Sequence, residues 1–471
     1  MQSQELWSLS AVATAEGIRS GTFSSREVVQ ACLERIEALN PTVNALTEIR
    51  PDAALQAADQ ADRLLAAGGK IGALHGVPTV IKGNVDLAGW PTVNGCAALT
   101  ENLAATSSPC VENWLGAGAV VLGRSNTPEF CCRWETNNSV FGQTLNPWNT
   151  ALTPGGSSGG TAVALAVGMV PLGHGTDLGG SLRHPAQCCG VASIKPTLGR
   201  VPDWVSTQPE PAIGVQLMNT DGPMARRVAD VRLGLQCMLG QHRADPWAVD
   251  RPLRLETRPG LPIAVLSDPL AGGVHPQVEA GVNQAVDALR KYGHTVVEAE
   301  PPRLKDAFTL WQTVCFYELL NGLKPEVESI CGDGLRTVFD RYAEVAPDLS
   351  VAGYHRALTE RTTLLREWLG FFRQFSVLVA PVSTQPPQVI DYDLASADSN
   401  RALVDSMRMV VPINALGLPS AVVPVGVENG LPQAVQVIGA PFRELDCLAI
   451  AEHIEANTGP ITPITSTAEE K

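Results

Sequence analysis

Residues 153–190, TPGGSSGGTAVALAVGMVPLGHGTDLGGSLRHPAQCCG, hold ten glycines in 38 positions, the most unusual composition in the chain. Glycine at that density marks backbone that adopts φ > 0 or approaches a neighbour closely, at an entropic cost an ordinary loop does not need to bear. The plain reading is a pair of turns capping the apolar helix TAVALAVG. The functional readings separate by spacing. A phosphate-binding loop needs G-x-x-x-x-G-K-[ST]; Gly155 and Gly160 have the separation, but Thr161 stands where the lysine must be. A dinucleotide fingerprint sought in Gly173, Gly175 and Gly179 is one residue too long, and Lys195 occupies the place where an acidic residue holds the ribose. The hydrolase elbow G-x-S-x-G is absent, because Ser181 sits in G-G-S-L-R.

Ser181 can still act as a nucleophile if a neutral lysine in a desolvated pocket takes its proton, directly or through a relay. The glycines then acquire a role, since the N–H groups of Leu178, Gly179 and Gly180, with that of Ser181, lie open to the oxygen of a tetrahedral intermediate. His174 and His184 flank the serine, and each is a conceivable base, yet a lone histidine more often packs or hydrogen-bonds structurally. A lysine is found upstream in IGALHGVPTVIKGNVD, residues 71–86, where Val77, Thr79 and Ile81 alternate as a strand with one face inward and Lys82 ends it before Gly83 and Asn84. Burial at that point lowers a lysine pKa, whereas a lysine that snorkels to the surface keeps its charge.

Helix and strand signals alternate along the whole chain, which predicts an α/β fold with helices covering a sheet. Ser24 and Glu27 have capping-box spacing ahead of the stripe Val28, Cys32, Ile36. Ser108 and Pro109 open another helix, followed by a short strand over Ala119–Leu122. Val278, Val282, Val286 and Leu289 line a helix ended by Gly293, with HTVVEAE as the next strand. SVLVAP from Ser376 and AVVPVGV from Ala421 are further strands, the latter joined to QAVQVIG through a hairpin at Asn429 and Gly430. Residues 202–223, rich in proline, glycine, serine and threonine, read as a loop or insertion, and the tail from 460 to 471 as frayed. No repeat or low-complexity linker divides the 471 residues, so a single domain is expected.

A net charge of −14 opposes binding to nucleic acid or anionic membranes, and no apolar run reaches the roughly 18 residues a membrane span needs. The N-terminus lacks the pattern of a signal peptide. The eleven cysteines are odd in number, include two adjacent pairs and show no C-x-x-C, which favours reduced thiols and a cytoplasmic protein. The eight histidines show no ligand spacing, so no metal is expected.

Taken together, these segments resemble the amidase signature family of serine hydrolases, in the family's order and over nearly the full chain. LHGVPTVIKGNVD is similar to its lysine motif, GGSSGG to its first serine motif, and GTDLGGSLRHPAQCCGVASIKPT to its nucleophile segment. GRSNTPEF, FGQTLNPWN, NALGLPSAVVPVG and GLPQAVQVIGAPFRE extend the likeness. The resemblance implies a single α/β/α domain around a large twisted mixed sheet, with its signature core at about residues 70–200 and variable regions at 202–223 and about 305–375. It also implies Ser181 as nucleophile, Lys82 as base and Ser157 as bridging serine after a cis Gly156–Ser157 bond, with Ser158, Asp177 and Arg183 supporting them. The reaction implied is acyl transfer from an amide, ester or carbamate to water, with no cofactor and no metal. Gly83 and Leu152 depart from the family's usual Asp and Arg, the first removing a charge beside the base. Substrate contacts are expected from Trp134, Thr136, Asn137, His184 and Trp204. The family also contains amidotransferase subunits that release ammonia for tRNA-dependent amidation within heteromeric complexes. A catalytically silent binding protein on the same fold is the third reading, disfavoured because both serines and the lysine are present. The protein is expected as a monomer or homodimer.

Overall fold

The structure is a computed structural model that describes residues 3–255 and 260–462, so the tail from residue 463 on, expected to fray, lies outside the described residues. Eleven strands form one mixed sheet among the described residues: β1 Leu46–Ile49, β2 Pro78–Lys82, β3 Val120–Ser125, β4 Leu172–Thr176, β5 Ala192–Lys195, β6 Asp221–Ala225, β7 Ile263–Val265, β8 Val296–Glu298, β9 Leu378–Pro381, β10 Ser420–Glu428 and β11 Leu431–Ile438. Their order is β1-β3-β2-β4-β6-β5-β10-β11-β9-β7-β8. β2 runs parallel to both β3 and β4, which brings the C-terminal ends of β2 and β4 to the same edge.

Helices cover both faces, and strand alternation divides the apolar residues between two cores. Val422, Leu378 and Ala434 face the layer containing the helices Gly159–Ala166, Arg183–Cys189 and Leu304–Glu318. Their strand neighbours Val423, Val379 and Val435 face the helices Pro109–Gly116, Val228–Met238, Pro276–Lys291 and Glu444–Thr458. The same holds for β2, where one inward face was expected: all five residues are buried, with Ile81 in one core and Val80 in the other. A sheet sandwiched between helices needs apolar side chains at every position, so period two does not mark an outside.

The local signals of the N-terminal helix are realised. The Ser24 side chain accepts from Glu27 N–H while the Glu27 carboxylate accepts from Ser24 N–H, and Val28, Cys32 and Ile36 are buried. Asn429 and Gly430 adopt φ of 50° and 75°, the paired positive values of a two-residue hairpin turn joining β10 to β11. Residues 202–223 form the expected loop only as far as residue 212. They contain the helix Ile213–Met218 and enter β6, a strand interior to the sheet between β4 and β5. Gly222 and Pro223 disguised it, since proline is normally excluded from interior strands, yet Pro223 pairs with His174 there.

Candidate active site

Lys82 is the last residue of β2 and is fully buried. It shares the strand face of Val80, turned toward the helix Gly159–Ala166. Its Nζ stands 2.6 Å from Ser157 Oγ and donates to Thr176 Oγ1, at the end of β4, over 2.8 Å. Burial lowers the Lys82 pKa, opposed in part by Cys131, Asp177 and Asp221. An amine in such surroundings favours its neutral, proton-accepting form.

Ser157 is placed by the turn ahead of the helix Gly159–Ala166. The Gly156–Ser157 peptide bond is cis, as the family resemblance implied. Thr136 Oγ1 donates to Gly155 O over 2.8 Å, and a Cβ on Gly156 would lie 2.5 Å from Glu135 O, so the segment 133–136 packs directly against this turn. Ser158 Oγ donates to Thr176 O, and Ser158 N–H donates to Ser181 O over 3.2 Å, which ties the first serine turn to the second.

The second turn is organised by Asp177. Its carboxylate accepts from Gly180 N–H at 2.7 Å, Leu182 N–H at 3.1 Å, Arg183 Nε at 3.0 Å and Asn414 Nδ2 at 2.8 Å. Burial alone would raise its pKa, but the Arg183 guanidinium outweighs that and holds the carboxyl at about 2. Arg183 also donates to Val410 O and to the side-chain oxygens of Gln436 and Asn414, which links the turn to β11 and to the helix Val411–Ala415. The Gly180 N–H, expected among the donors open to substrate, is therefore spent on Asp177. The N–H groups of Leu178, Gly179 and Ser181 have no acceptor among the described residues. Gly180 is required at its position: φ is +102°, and a Cβ would meet Val410 Cγ1 at 2.3 Å.

Ser181 lies where two cavities meet. One, of about 570 Å³, is lined by Phe130, Trp134, Trp311, Leu319, Val327 and Ile330, with Leu178 and Gly179 beside Ser181. The other, of about 220 Å³, is more polar and reaches Ser157, Thr176, Asp203, Asn219 and Asp245. Trp134 is thus in the aromatic cavity, while Trp204 lines the polar one. Thr136, Asn137 and His184 line neither. Thr136 is turned onto the Gly155 carbonyl, and His184 is buried on the helix Arg183–Cys189 with Nε2 3.4 Å from Cys188 Sγ. Burial lowers the His184 pKa to about 4, so the ring is neutral.

Three groups escaped the sequence reading. Trp311 and Glu318 sit in the helix Leu304–Glu318 among residues with ordinary core spacing, and nothing local distinguishes them. Cys110, His174 and Asp221, scattered in the chain, converge with their ligand atoms all within 4.8 Å of one another and fully buried. His174 Nε2 is 3.0 Å from Asp221 Oδ1, and burial lowers the His174 pKa to about 3 while raising that of Asp221 to about 7.

A hydroxyl at the junction of two cavities, a second hydroxyl against a desolvated amine and unspent backbone N–H donors can together carry out acyl transfer. Comparison with known proteins agrees. A match to the Amidase family spans residues 27–448. The chain is 39% identical over 458 residues to an indoleacetamide hydrolase of Bradyrhizobium diazoefficiens, covering 96% of this chain and 87% of that protein. It is 33% identical to a glutamyl-tRNA(Gln) amidotransferase subunit of Chloroflexus aurantiacus, covering 95% and 96% respectively. Among solved structures, a bacterial aryl acylamidase of the amidase signature enzymes superposes with a TM-score of 0.82 at 27% identity, covering 97% of each chain. The chain therefore belongs to the amidase family, with the amidase signature fold, and is a hydrolase that cleaves the C–N bond of an amide.

Proposed function

We propose that the protein hydrolyses the primary amide of an arylacetic acid, releasing the acid and ammonia, through an acyl-enzyme on Ser181. The observation that carries this reading is the position of Ser181 between an aromatic cavity and a smaller polar one that also reaches Ser157. The aryl group of the acyl half occupies the cavity walled by Trp134 and Trp311, and the amide nitrogen faces the polar side. Ser157, 2.6 Å from the Lys82 amine, is the relay: as Ser181 Oγ attacks the carbonyl carbon, its proton passes to Ser157 and the Ser157 proton to Lys82 Nζ. The oxyanion is met by the N–H groups of Leu178, Gly179 and Ser181. On collapse the C–N bond breaks, a proton returns through Ser157 to the departing nitrogen, and ammonia leaves. Water, deprotonated along the same relay, then attacks the acyl carbon and frees Ser181. Asp177 and Arg183 hold the nucleophile turn, and Ser158 joins the two serine turns. No metal or cofactor has a part in these steps.

The higher identity to an indoleacetamide hydrolase than to an amidotransferase subunit supports a free-standing enzyme, acting as a monomer or homodimer of one domain. Copurification of a stable heteromeric complex would instead favour the amidotransferase reading. No helix among the described residues is long and apolar enough to cross a membrane. All eleven cysteines are free, which supports a cytoplasmic setting.

The test is a substrate panel of indole-3-acetamide, phenylacetamide, anilides, aliphatic amides, aryl carbamates and aryl esters, with active-site titration by a fluorophosphonate. Arylacetamides are expected to give the highest kcat/KM among the amides, with slower turnover of esters and carbamates. Fluorophosphonate labelling is expected in wild type and not in Ser181→Ala. Faster turnover of aliphatic amides than of arylacetamides overturns the substrate assignment, and labelling that survives in Ser181→Ala overturns the nucleophile.

A further inference from the structure

In the turn 177–181 the N–H groups of Leu178, Gly179 and Ser181 have no acceptor among the described residues, while the carbonyls of residues 177 to 180 are all engaged. Asp177 O accepts from Asn414 Nδ2 at 2.9 Å and from Thr220 N–H. Leu178 O accepts from the indole N–H of Trp311 at 3.0 Å, Gly179 O from the indole N–H of Trp134 at 2.8 Å, and Gly180 O from His184 N–H at 2.7 Å. In a trans peptide the C=O and the following N–H point in opposite directions within one plane. Pinning a carbonyl therefore aims the next residue's N–H.

The two indoles act on unequal planes. The plane between Gly179 and Gly180 is held at both ends, by Trp134 at the carbonyl and by Asp177 at the Gly180 N–H. The plane between Leu178 and Gly179 is held at the carbonyl alone, by Trp311, and its N–H has no protein acceptor among the described residues. Trp311 also fixes this plane sterically: a Cβ on Gly179 would lie 2.5 Å from Trp311 Cζ2. The two rings, with centroids 5.9 Å apart, wall the aromatic cavity at the same time.

We infer that Trp311 is a positioning residue for the reaction: its ring shapes the acyl cavity while its indole N–H aims the Gly179 N–H at the carbonyl oxygen of the substrate. This rests on the proposed acyl-enzyme reading and deepens it, by making one side chain serve both substrate selection and oxyanion stabilisation. An amide whose aryl group presses on Trp311 also orders the donor it needs. Trp134, whose plane has a second anchor, contributes less.

The test is Trp311→Phe and Trp134→Phe on the full chain, with arylacetamide turnover and the affinity of an aryl trifluoromethyl ketone, which adds to the serine as a tetrahedral adduct. Affinity for the arylacetic acid product reports ground-state binding. For Trp311→Phe, kcat is expected to fall about 10-fold, as loss of one hydrogen bond allows, with ketone affinity falling more than acid affinity, which worsens together with KM because the smaller ring reshapes the acyl cavity. For Trp134→Phe a smaller loss of kcat is expected. Replacement of Trp311 by 3-benzothienylalanine, which keeps the ring size and removes only the N–H, should reproduce the fall in kcat and ketone affinity with KM and acid affinity within about 2-fold, and it serves alone if the phenylalanine variant fails to fold. Unchanged kcat in the benzothienyl variant overturns the inference, as does equal loss of ketone and acid affinity. Fluorophosphonate labelling of Ser181 separates the two failures: no labelling in wild type defeats the acyl-enzyme reading, whereas normal labelling with an unaffected benzothienyl variant defeats the role of Trp311 alone.

Discussion

Lys82 Nζ and Ser157 Oγ stand 2.6 Å apart with neither residue exposed to solvent, so the amine proposed as proton acceptor is coupled to a hydroxyl and not to water. Below its pKa Lys82 is an ammonium and cannot accept a proton, and burial lowers that pKa from the ordinary lysine value. The profile of kcat/KM against pH is therefore expected to rise along a limb that lies below the usual lysine pKa of about 10.4. Lys82→Ala should lose about 10²–10⁴-fold in kcat, a typical contribution of a general base. Lys82→Arg should not restore it, because a guanidinium stays protonated. A pH profile of wild type with the rising limb above about 10.4 would contradict a desolvated base.

The ion pair between Arg183 and Asp177, 3.0 Å apart and fully buried, is the structural hub of the turn that carries Ser181. Removing one partner leaves the other charge buried, which costs about 3–5 kcal/mol. Arg183→Ala should show that loss in urea unfolding at pH 7. The Asp177 carboxyl is held at about 2 in the folded state. Its contribution is thus complete above the ordinary Asp pKa of about 3.9 and is lost as pH falls toward 2. In Arg183→Ala the steep loss of stability across that window should be reduced. Equal slopes for wild type and variant there would argue against the pairing as the source.

Glu318 links the helix Leu304–Glu318 to the short helix Ile213–Met218 at the wall of the aromatic cavity. Its carboxylate accepts from Gly214 N–H at 2.7 Å, Val215 N–H at 2.9 Å and the Tyr354 hydroxyl at 2.6 Å. Glu318→Ala leaves these donors without an acceptor, at about 1–3 kcal/mol, and frees the wall. The expected outcome is a KM for arylacetamides raised about 10-fold with a smaller effect on kcat, since about 1.4 kcal/mol of lost binding corresponds to that factor. Steady-state kinetics check it, and a changed kcat at constant KM would show that Glu318 acts on the chemistry instead.

Incubation with EDTA is expected to leave turnover unchanged, because in the proposed relay Lys82 and Ser157 supply the proton transfers. The cluster Cys110, His174 and Asp221 makes this a direct test, since a metal held there would lie among the groups that influence Lys82. Turnover before and after chelation decides it, and loss that zinc restores would count against a reaction run by side chains alone.

The fold and the candidate reacting residues were legible for a physical reason. The capping box at Ser24 and the hairpin at Asn429 and Gly430 are local signals, satisfied within a few residues of the chain, and SVLVAP is marked as a strand by its apolar run although its partners are β7 and β11. Glycine in GGSSGG and DLGGS marks backbone conformations that other residues rarely tolerate, and a lysine closing an apolar strand is conspicuous in any sequence. Interior strands were legible as strands but not by face, since a sheet covered on both sides shows no polar alternation. β6 was lost behind its own glycine and proline.

The pocket residues divide the same way. Trp134 reaches the aromatic cavity, but Thr136 is turned onto a backbone carbonyl and Asn137 lines neither cavity, and no pattern in 133–141 separates them. Sequence by itself determined the α/β class and singled out Ser181 and Lys82, because those rest on backbone permissiveness and residue type, while the family and Ser157 came from the order and likeness of its motifs. Only the tertiary structure decided that Gly180 spends its N–H on Asp177 while that of Gly179 has no acceptor among the described residues, and that Trp311 holds the carbonyl behind it from 133 residues away. Hydrogen-bond direction in a turn depends on which groups the rest of the fold brings to its outer side, and no local pattern carries that.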